Sequence, residues 1–468
     1  MRDLIKIAWR NLWRNKRRTL ITAASIFFAI FFAVTMRSFQ LGTYGHMIKQ
    51  AIEAYSGYIQ VQNADYFDDP SIDNVFEPTP ALMAQIQADP NVKVAVPRIE
   101  SFALASTGNL SKGVLITGIS TEKERMMSNP EQKLVRYRIT DEAIRRLGKQ
   151  VSPAVMEKLK QNRSASFTSE PDMLLELELN KESKSMVKAI LQASKMESRY
   201  LTEKDEGILI SDRLSKYLKV AIGDSVILMG QGYQGVSAAD LFPVRGIVKL
   251  PAPELDNKVI FMSIAKASEF LSLTGQITSI AINLNETDEM KETQAGLIKR
   301  INDDQISVKN WEQLNPTLKQ QIEGDSQSGQ IFLAILYIII FFGIFGTVQM
   351  MISERAREFG VMVAIGMKRV KLATVVALEM MFLGLIGTVA GLGLSVPVIL
   401  YGYYYPFKIT GDMAQMYIDY GFDPVMPMAW FEGYFFRQAA VVFVMVLLAI
   451  YQPIRSILKL NVIKSIHG

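Results

Sequence analysis

The residues best placed to act together are Glu354-Arg355-Ala356-Arg357-Glu358. Two carboxylates and two guanidiniums packed into so short a stretch suit ion pairing rather than catalysis. Glu354 and Glu358 stand four apart, so a helix puts them on one face. The apolar run Phe359-Gly360-Val361-Met362-Val363-Ala364-Ile365-Gly366 follows, closed by Lys368 and Arg369. Gly360 is expected to break the helix and Gly366 to end the short one after it. An amphipathic piece of this kind pairs its charges with a partner and sets its apolar residues in that partner's cleft.

Most other chemistry is absent. The chain has no cysteine, which excludes disulfides, thiolate metal sites and a cysteine nucleophile. His46 and His467 are too few and too far apart in sequence to suggest a metal site. There is no Gly-x-Ser-x-Gly and no His-Glu-x-x-His, and Gly230-Gln231-Gly232 lacks a dinucleotide-binding continuation. Adjacent carboxylates such as Asp68-Asp69 do not make a catalytic pair. No Gly-x-x-x-x-Gly-Lys-Ser/Thr loop is present to cradle phosphates. The expectation is therefore no catalytic residue, no metal, and no ATP hydrolysis by this chain alone.

Four apolar stretches must carry the motif. Leu20 to Met36, Ile331 to Ile352 and Gln438 to Ile454 have no charged residue, and Leu372 to Tyr405 has only Glu379. A 22-residue helix such as 331–352 is about 33 Å long, enough to cross a bilayer. The first stretch reads as an uncleaved anchor, because it is longer than a signal core and no small-x-small cleavage site follows. Residues 1–19, 353–371 and 453–468 together carry +12 in a chain of net charge +5, so the remainder carries −7. Positive segments stay in the cytoplasm, which places residues from about 37 to 330 and from about 406 to 434 outside. The basic excess lies beside the membrane, where anionic lipid accounts for it and nucleic acid does not. Glu379, a carboxylate inside a span, is expected to face the bundle interior and to pair across helices, to pair with Lys371, or to sit protonated.

The outer segment reads as α/β. Strands are expected at 58–62, 92–96, 114–117, 207–210, 225–229, 244–248, 259–262 and 279–284, and helices at 80–88, 212–218, 264–271 and 286–301. Between Thr121 and Lys204 the chain is rich in Lys, Glu, Met and Leu, with helical periodicity at 140–147, 153–161 and 184–196. This is expected to be an inserted helical lobe.

The Glu-Arg-x-Arg-Glu-apolar-Gly-x-x-x-Ala-apolar-Gly pattern at 354–366 resembles the FtsX-like permease family, which includes MacB-type and lipoprotein-releasing (LolC/LolE-type) permeases. Ala8-Trp9-Arg10-Asn11-Leu12 with Asn15-Lys16-Arg17-Arg18-Thr19 is similar to the family's amphipathic N-terminal helix. Glu379 with Leu383-Gly384, Gly387 and Gly391 is similar to its third span, where the glycines would pack helices. Tyr451-Gln452-Pro453 with Arg455 is similar to its exit from the last span, and Gly223-Asp224-Ser225-Val226-Ile227-Leu228 to part of its outer domain.

The resemblance implies a four-span α-helical membrane protein with a large α/β extracytoplasmic domain between helices one and two. The implied division is an amphipathic cytoplasmic helix at 1–19, spans at 20–40, 329–352, 372–405 and 435–454, a periplasmic domain at 41–328 with its helical lobe at about 121–204, a coupling loop at 353–371, a short periplasmic loop at 406–434 and a cytoplasmic tail at 455–468. It further implies a permease dimer in the bacterial inner membrane, working by mechanotransmission. A separate ABC ATPase dimer would bind ATP and Mg and would be contacted through Glu354, Arg355, Arg357, Glu358, Phe359, Gly360, Ala364 and Gly366. The closest subgroup is the lipoprotein-releasing one, with a periplasmic carrier or adaptor as a further partner. Phe28, Phe31, Phe32, Met36, Ile335, Ile339 and Phe342 would line a lipid cavity. The other readings are MacB-like efflux through a tripartite pump and FtsX-like regulation of a cell-wall hydrolase.

Overall fold

The computed structural model describes residues 2–14, 16–52, 56–419 and 424–459. It divides into a helical unit, Met1–His46 with Thr317–Ile409 and Val425–Gly468, and an α/β unit, Met47–Pro316 with Thr410–Pro424. Residues 460–468 of the expected cytoplasmic tail lie outside the described residues.

The chain begins with helix α1 (Arg2–Arg14), then α2 (Lys16–Ala51). The α/β unit follows: β1 (Ile59–Asn63), α3 (Pro80–Gln87), β2 (Val92–Ser106), β3 (Ser111–Ile119) and α4 (Thr121–Glu124). Next come β4 (Tyr137–Arg138), α5 (Asp141–Leu147), α6 (Pro153–Gln161), β5 (Ser166–Phe167), α7 (Glu170–Glu176) and α8 (Lys184–Ser194). The unit continues through β6 (Ile208–Ser211), α9 (Asp212–Leu218), β7 (Ser225–Gln231), β8 (Ser237–Val248), α10 (Pro253–Asp256), β9 (Val259–Ser263) and α11 (Ile264–Phe270). It ends with β10 (Ser279–Leu284), α12 (Met290–Ile301), β11 (Ile306–Asn310) and α13 (Trp311–Leu314). The helical unit resumes with α14 (Pro316–Glu354), α15 (Ala356–Ala364) and α16 (Arg369–Tyr404). After a short β12 (Phe407–Lys408), α17 (Asp412–Asp419) and β13 (Val425–Met426), it closes with α18 (Gly433–Leu458).

The strand order β11-β1-β10-β2, with α3 and α12 as the connecting helices, is a split β-α-β-β-α-β layer. The remaining strands close a ring inserted into it. β2 pairs β3, β3 pairs β9, β9 pairs β6, β6 pairs β8, β8 pairs β7, and β7 returns to β2. Closure removes edges that would otherwise recruit other strands. The strand expected at 92–96 in fact runs to Ser106. Its first half pairs with β10 and its second half with β7, which no local pattern announces. Alternate residues of the ring, Ala105, Val114, Ile116, Val226, Leu228, Phe242 and Ile260, are buried in one core.

The inserted lobe has its own core of Ile139, Leu147, Val155, Leu159, Phe167, Met173 and Ile190. Its helices α5, α6, α7 and α8 each start on a hydroxyl cap: Thr140, Ser152, Ser169 and Ser183 accept from Ala143, Val155, Asp172 and Met186 N–H groups. The lobe is pinned to the ring by Arg138, which donates to Asp212 at 2.5 Å and to Ser215 at 3.0 Å, while Ser166 donates to Asp212 at 2.7 Å.

Asp256 sits beneath this junction and accepts backbone N–H bonds from Leu250, Asp212 and Arg213. Burial pushes its carboxyl up to about 6; the backbone donors pull against that and Asp212 adds to it. The folded pKa thus lies above the unfolded one, so the protonated form favours folding. The stability from this group is full below about pH 4 and is lost as pH rises through about 6, up to on the order of 3 kcal/mol. Unfolding curves of wild type and Asp256→Asn between pH 4 and 7 should differ by that slope, which the variant lacks.

Among the described residues, α2, α14, α16 and α18 contain four segments long and apolar enough to cross a membrane: Thr19–Gln50, Pro316–Glu354, Arg369–Tyr404 and Gly433–Leu458. All four helices run past the expected spans, α2 (to Ala51) and α14 (back to Pro316) by the most. Tyr401, Tyr403, Tyr404 and Tyr405 stand exposed at one end of α16, with Trp430 nearby in edge contact with Tyr403. Such an aromatic group suits a membrane–water boundary.

Candidate functional site

α16 carries the hub of the site. Its Gly384 faces Val446 of α18, Gly387 faces Ile26 and the Ala23 carbonyl of α2, and Gly391 faces the Phe27 carbonyl and Ile30. The missing side chains bring the helices close and fix α16 between its neighbours. Glu379, two turns from Gly387, is thereby held inside the bundle with 2% of its side chain exposed. It accepts from Asn11 of α1 at 2.5 Å and from Arg355 at 2.8 Å. The pairing with Lys371 considered from sequence is replaced by these two.

Arg355 is the break between α14 and α15, with φ −97° and ψ 5°. Its guanidinium also donates to Glu358 at 3.3 Å and lies over the Phe359 ring at 5.2 Å. Glu358 in turn takes both oxygens to Arg14 of α1 at 2.5 Å. The Arg14 hydrogen bond, opposed by partial burial and reinforced by Arg355, holds the Glu358 carboxyl below the usual carboxylate range. Asn11, Arg14, Glu354, Arg355, Glu358 and Glu379 all line one cavity of about 270 Å³, which Leu12, Thr19, Thr22, Met351 and Leu383 complete.

The helix break expected at Gly360 is at Arg355 instead. Gly360 lies inside α15 and is buried, as is Phe359. Both face the bundle and neither is presented outward, because the arginine is drawn to Glu379 and the turn forms there. Gly366 does end α15: its φ is +107°, its N–H meets the Val363 carbonyl, and the Met367 N–H meets the Met362 carbonyl. That pair of bonds is a Schellman ending, which favours glycine at this position. The exposed residues of the element are Arg357, Glu358, Val361, Ala364 and Ile365, of which Arg357, Val361 and Ile365 recur every four residues. Ile365 is 82% exposed. Val361 and Ile365 were passed over as site residues; the spacing from Arg357 was the available signal.

A second cavity, about 380 Å³ and apolar, lies between α2 and α14. Phe32, Thr35, Met36, Phe39, Phe332, Leu336 and Met428 line it. Of the expected lipid-cavity residues, Phe32 and Met36 are here, whereas Phe28, Phe31, Ile335, Ile339 and Phe342 are not among its walls. Phe28, Ile335, Ile339 and Phe342 lie on exposed helix faces, because α14 presents a neighbouring face to α2. Among the described residues, no group of three His, Asp or Glu side chains could hold a metal ion.

The fold and this site define a membrane protein with four spans and a large α/β domain between the first and second. Residues 330–462, which hold α15, α16 and α18, match the FtsX-like permease C-terminal family, and this part of the chain is an FtsX-like permease domain. The chain is 21% identical over 228 residues to the lipoprotein-releasing system transmembrane protein LolC of Xylella fastidiosa, covering 47% of this chain and 54% of that protein. It is 26% identical over 159 residues to an uncharacterised ABC transporter permease of Methanocaldococcus jannaschii, covering 33% and 40%. The chain thus spans about half the length, or less, of the curated relatives it matches. The periplasmic region of MacB from Actinobacillus actinomycetemcomitans is similar at 12% identity, covering 59% of this chain and 95% of that one, with a TM-score of 0.31.

Proposed function

We propose that the chain is the membrane subunit of an ABC transporter and that α15 is the element through which a separate cytoplasmic ATPase moves it. The observation that carries this reading is the outward strip Arg357–Val361–Ile365 on a short helix bounded by the Arg355 break and the Gly366 turn, inside a segment of FtsX-like sequence. The three positive segments support a reading with α1 and α15 in the cytoplasm and the α/β unit outside. In this reading the chain works in the bacterial inner membrane, paired with a second permease. ATP and Mg stay on the ATPase, and strokes of α15 pass along α14 and α16 to the outer domain.

For cargo, lipoprotein release into a periplasmic carrier is the reading supported best. The LolC likeness points to it, and the apolar cavity between α2 and α14 has the chemistry to take an acyl chain. Ile365→Asp should abolish ATPase co-purification and ATP-driven lipoprotein release in reconstituted membranes, with the helical content unchanged. Met36→Glu, in the apolar cavity, should abolish release while the ATPase still co-purifies. Wild-type association in the first variant removes α15 as the docking element. Wild-type release in the second removes the lipid reading.

A further inference from the structure

We infer that α1 is a latch on the coupling helix, with Asn11 and Arg14 holding α15 through Glu379 and Glu358 until the cytoplasmic partner displaces that hold. The inference rests on α15 being the ATPase-docking element. It names a regulation that the docking strip alone does not contain.

The latch has a fixed part and a releasable part. The fixed part is Asn11–Glu379–Arg355: the carboxylate is buried, and each of its oxygens is taken, by an amide on one side and a guanidinium on the other. A buried charge stays with such partners, because leaving them unpaired is costly. The releasable part is Arg14–Glu358, whose side chains are 59% and 47% exposed. Exposed pairs of this type are weak and open readily.

α1 is built to stay in place while α15 moves. Ala8 and Leu12 are buried in the helical unit, and Trp9 packs edge-on to Phe382 of α16. Ile5, Trp9 and Trp13 form an exposed apolar row at a spacing of four, with Arg2, Lys6 and Arg10 in the strip alongside it. That arrangement suits a helix lying in the membrane interface. Thr19 closes the turn into α2 by donating to the Leu12 carbonyl at 2.6 Å. α15, by contrast, is a nine-residue helix with a backbone break at each end. The cavity between α1, α15 and α16 leaves room for it to pivot.

Glu358 is turned toward α1, not toward the outward strip. A partner that seats on Arg357, Val361 and Ile365 therefore need not touch Glu358; it pulls α15 away from Arg14. Loss of the Arg14–Glu358 pair should then let α15 move without cargo.

The test uses full-length permease with its ATPase in lipid nanodiscs. Arg14→Glu and Glu358→Arg are each expected to raise cargo-independent ATP hydrolysis roughly two- to fivefold, the scale of a weak pair. The double variant Arg14→Glu/Glu358→Arg brings the rate back toward wild type, below either single variant, because the pair re-forms with its signs exchanged while the Arg355 contact of Glu358 is not recovered. Unchanged rates in both single variants, or a double variant as elevated as the singles, overturn the latch. Hydrogen exchange in the permease alone is the partner-independent arm. Read at the α15 amides 356–364, which the latch holds, it should rise in each single variant and fall back in the double, with 2–14 as the unmoved reference; no change at 356–364 overturns the inference even if no ATPase binds. Failure of the wild-type chain to bind any ATPase would instead count against the proposed function, and the exchange arm would still decide the contact. Arg14→Ala replaces Arg14→Glu should the reversal fail to fold.

Discussion

Alanine at Arg355 is expected to cost the helical unit about 3–5 kcal/mol, because it leaves the Glu379 carboxylate buried with only Asn11 for company. The guanidinium pairs a carboxylate that is only 2% exposed and at the same time stands at the start of α15. Arg355→Lys should recover only part of this, since one ammonium cannot hold Glu379 and Glu358 in the forked geometry of the arginine. The decisive comparison is Arg355→Ala/Glu379→Gln. Removing the charge together with its partner should return most of the stability, measured by thermal unfolding in detergent with Trp9, Trp13 and Trp430 as reporters. A double variant no more stable than Arg355→Ala would show that the loss comes from packing against Phe359 and not from the buried charge.

Leucine at Gly387 is expected to prevent the helical unit from assembling. A Cβ there stands 2.7 Å from the Ile26 Cβ and 3.0 Å from the Ala23 carbonyl oxygen. Ile26 is itself fully packed and the carbonyl belongs to the α2 backbone, so neither can retreat and α2 must move off α16. Even Gly387→Ala should cost about 1–3 kcal/mol, the usual scale of overpacking. Gly391→Leu should behave like Gly387→Leu, with the Phe27 carbonyl at 2.9 Å. Gly393→Leu is the control, because nothing lies within 4 Å of its added Cβ. The yield of monodisperse protein after extraction should fall sharply for the first two and stay at the wild-type level for the third. Equal yields across all three would mean that α2 and α16 are not held by this close approach.

The inserted lobe was legible from helical periodicity at 140–147, 153–161 and 184–196, where the structure has α5, α6 and α8. α7 (Glu170–Glu176) was missed, although Ser169-Glu170-Pro171, whose serine caps it, is a helix-start signal. The ring of strands was not legible. Phe102, Leu104, Ile227 and Met229 are exposed apolar residues that alternate with buried ones, which marks strands but not their partners. Which edge of β2 meets β7 depends on residues more than a hundred positions apart.

The candidate site divides in the same way. Gly366 as a helix end follows from local backbone chemistry and was readable, whereas the break at Arg355 depends on a carboxylate from another helix. By itself the sequence determined the four apolar spans, the α/β character of the domain between the first two and the mixed-charge motif. Those properties come from composition, period and charge within short windows of chain. Only the tertiary structure decided that Glu379 meets Asn11 and Arg355, that Glu358 faces Arg14, and that Thr35 and Met428 share a cavity with Phe332. Each of those contacts joins residues distant in sequence. Helix packing, set by where glycine lets two backbones approach, chooses them, and no local pattern encodes it.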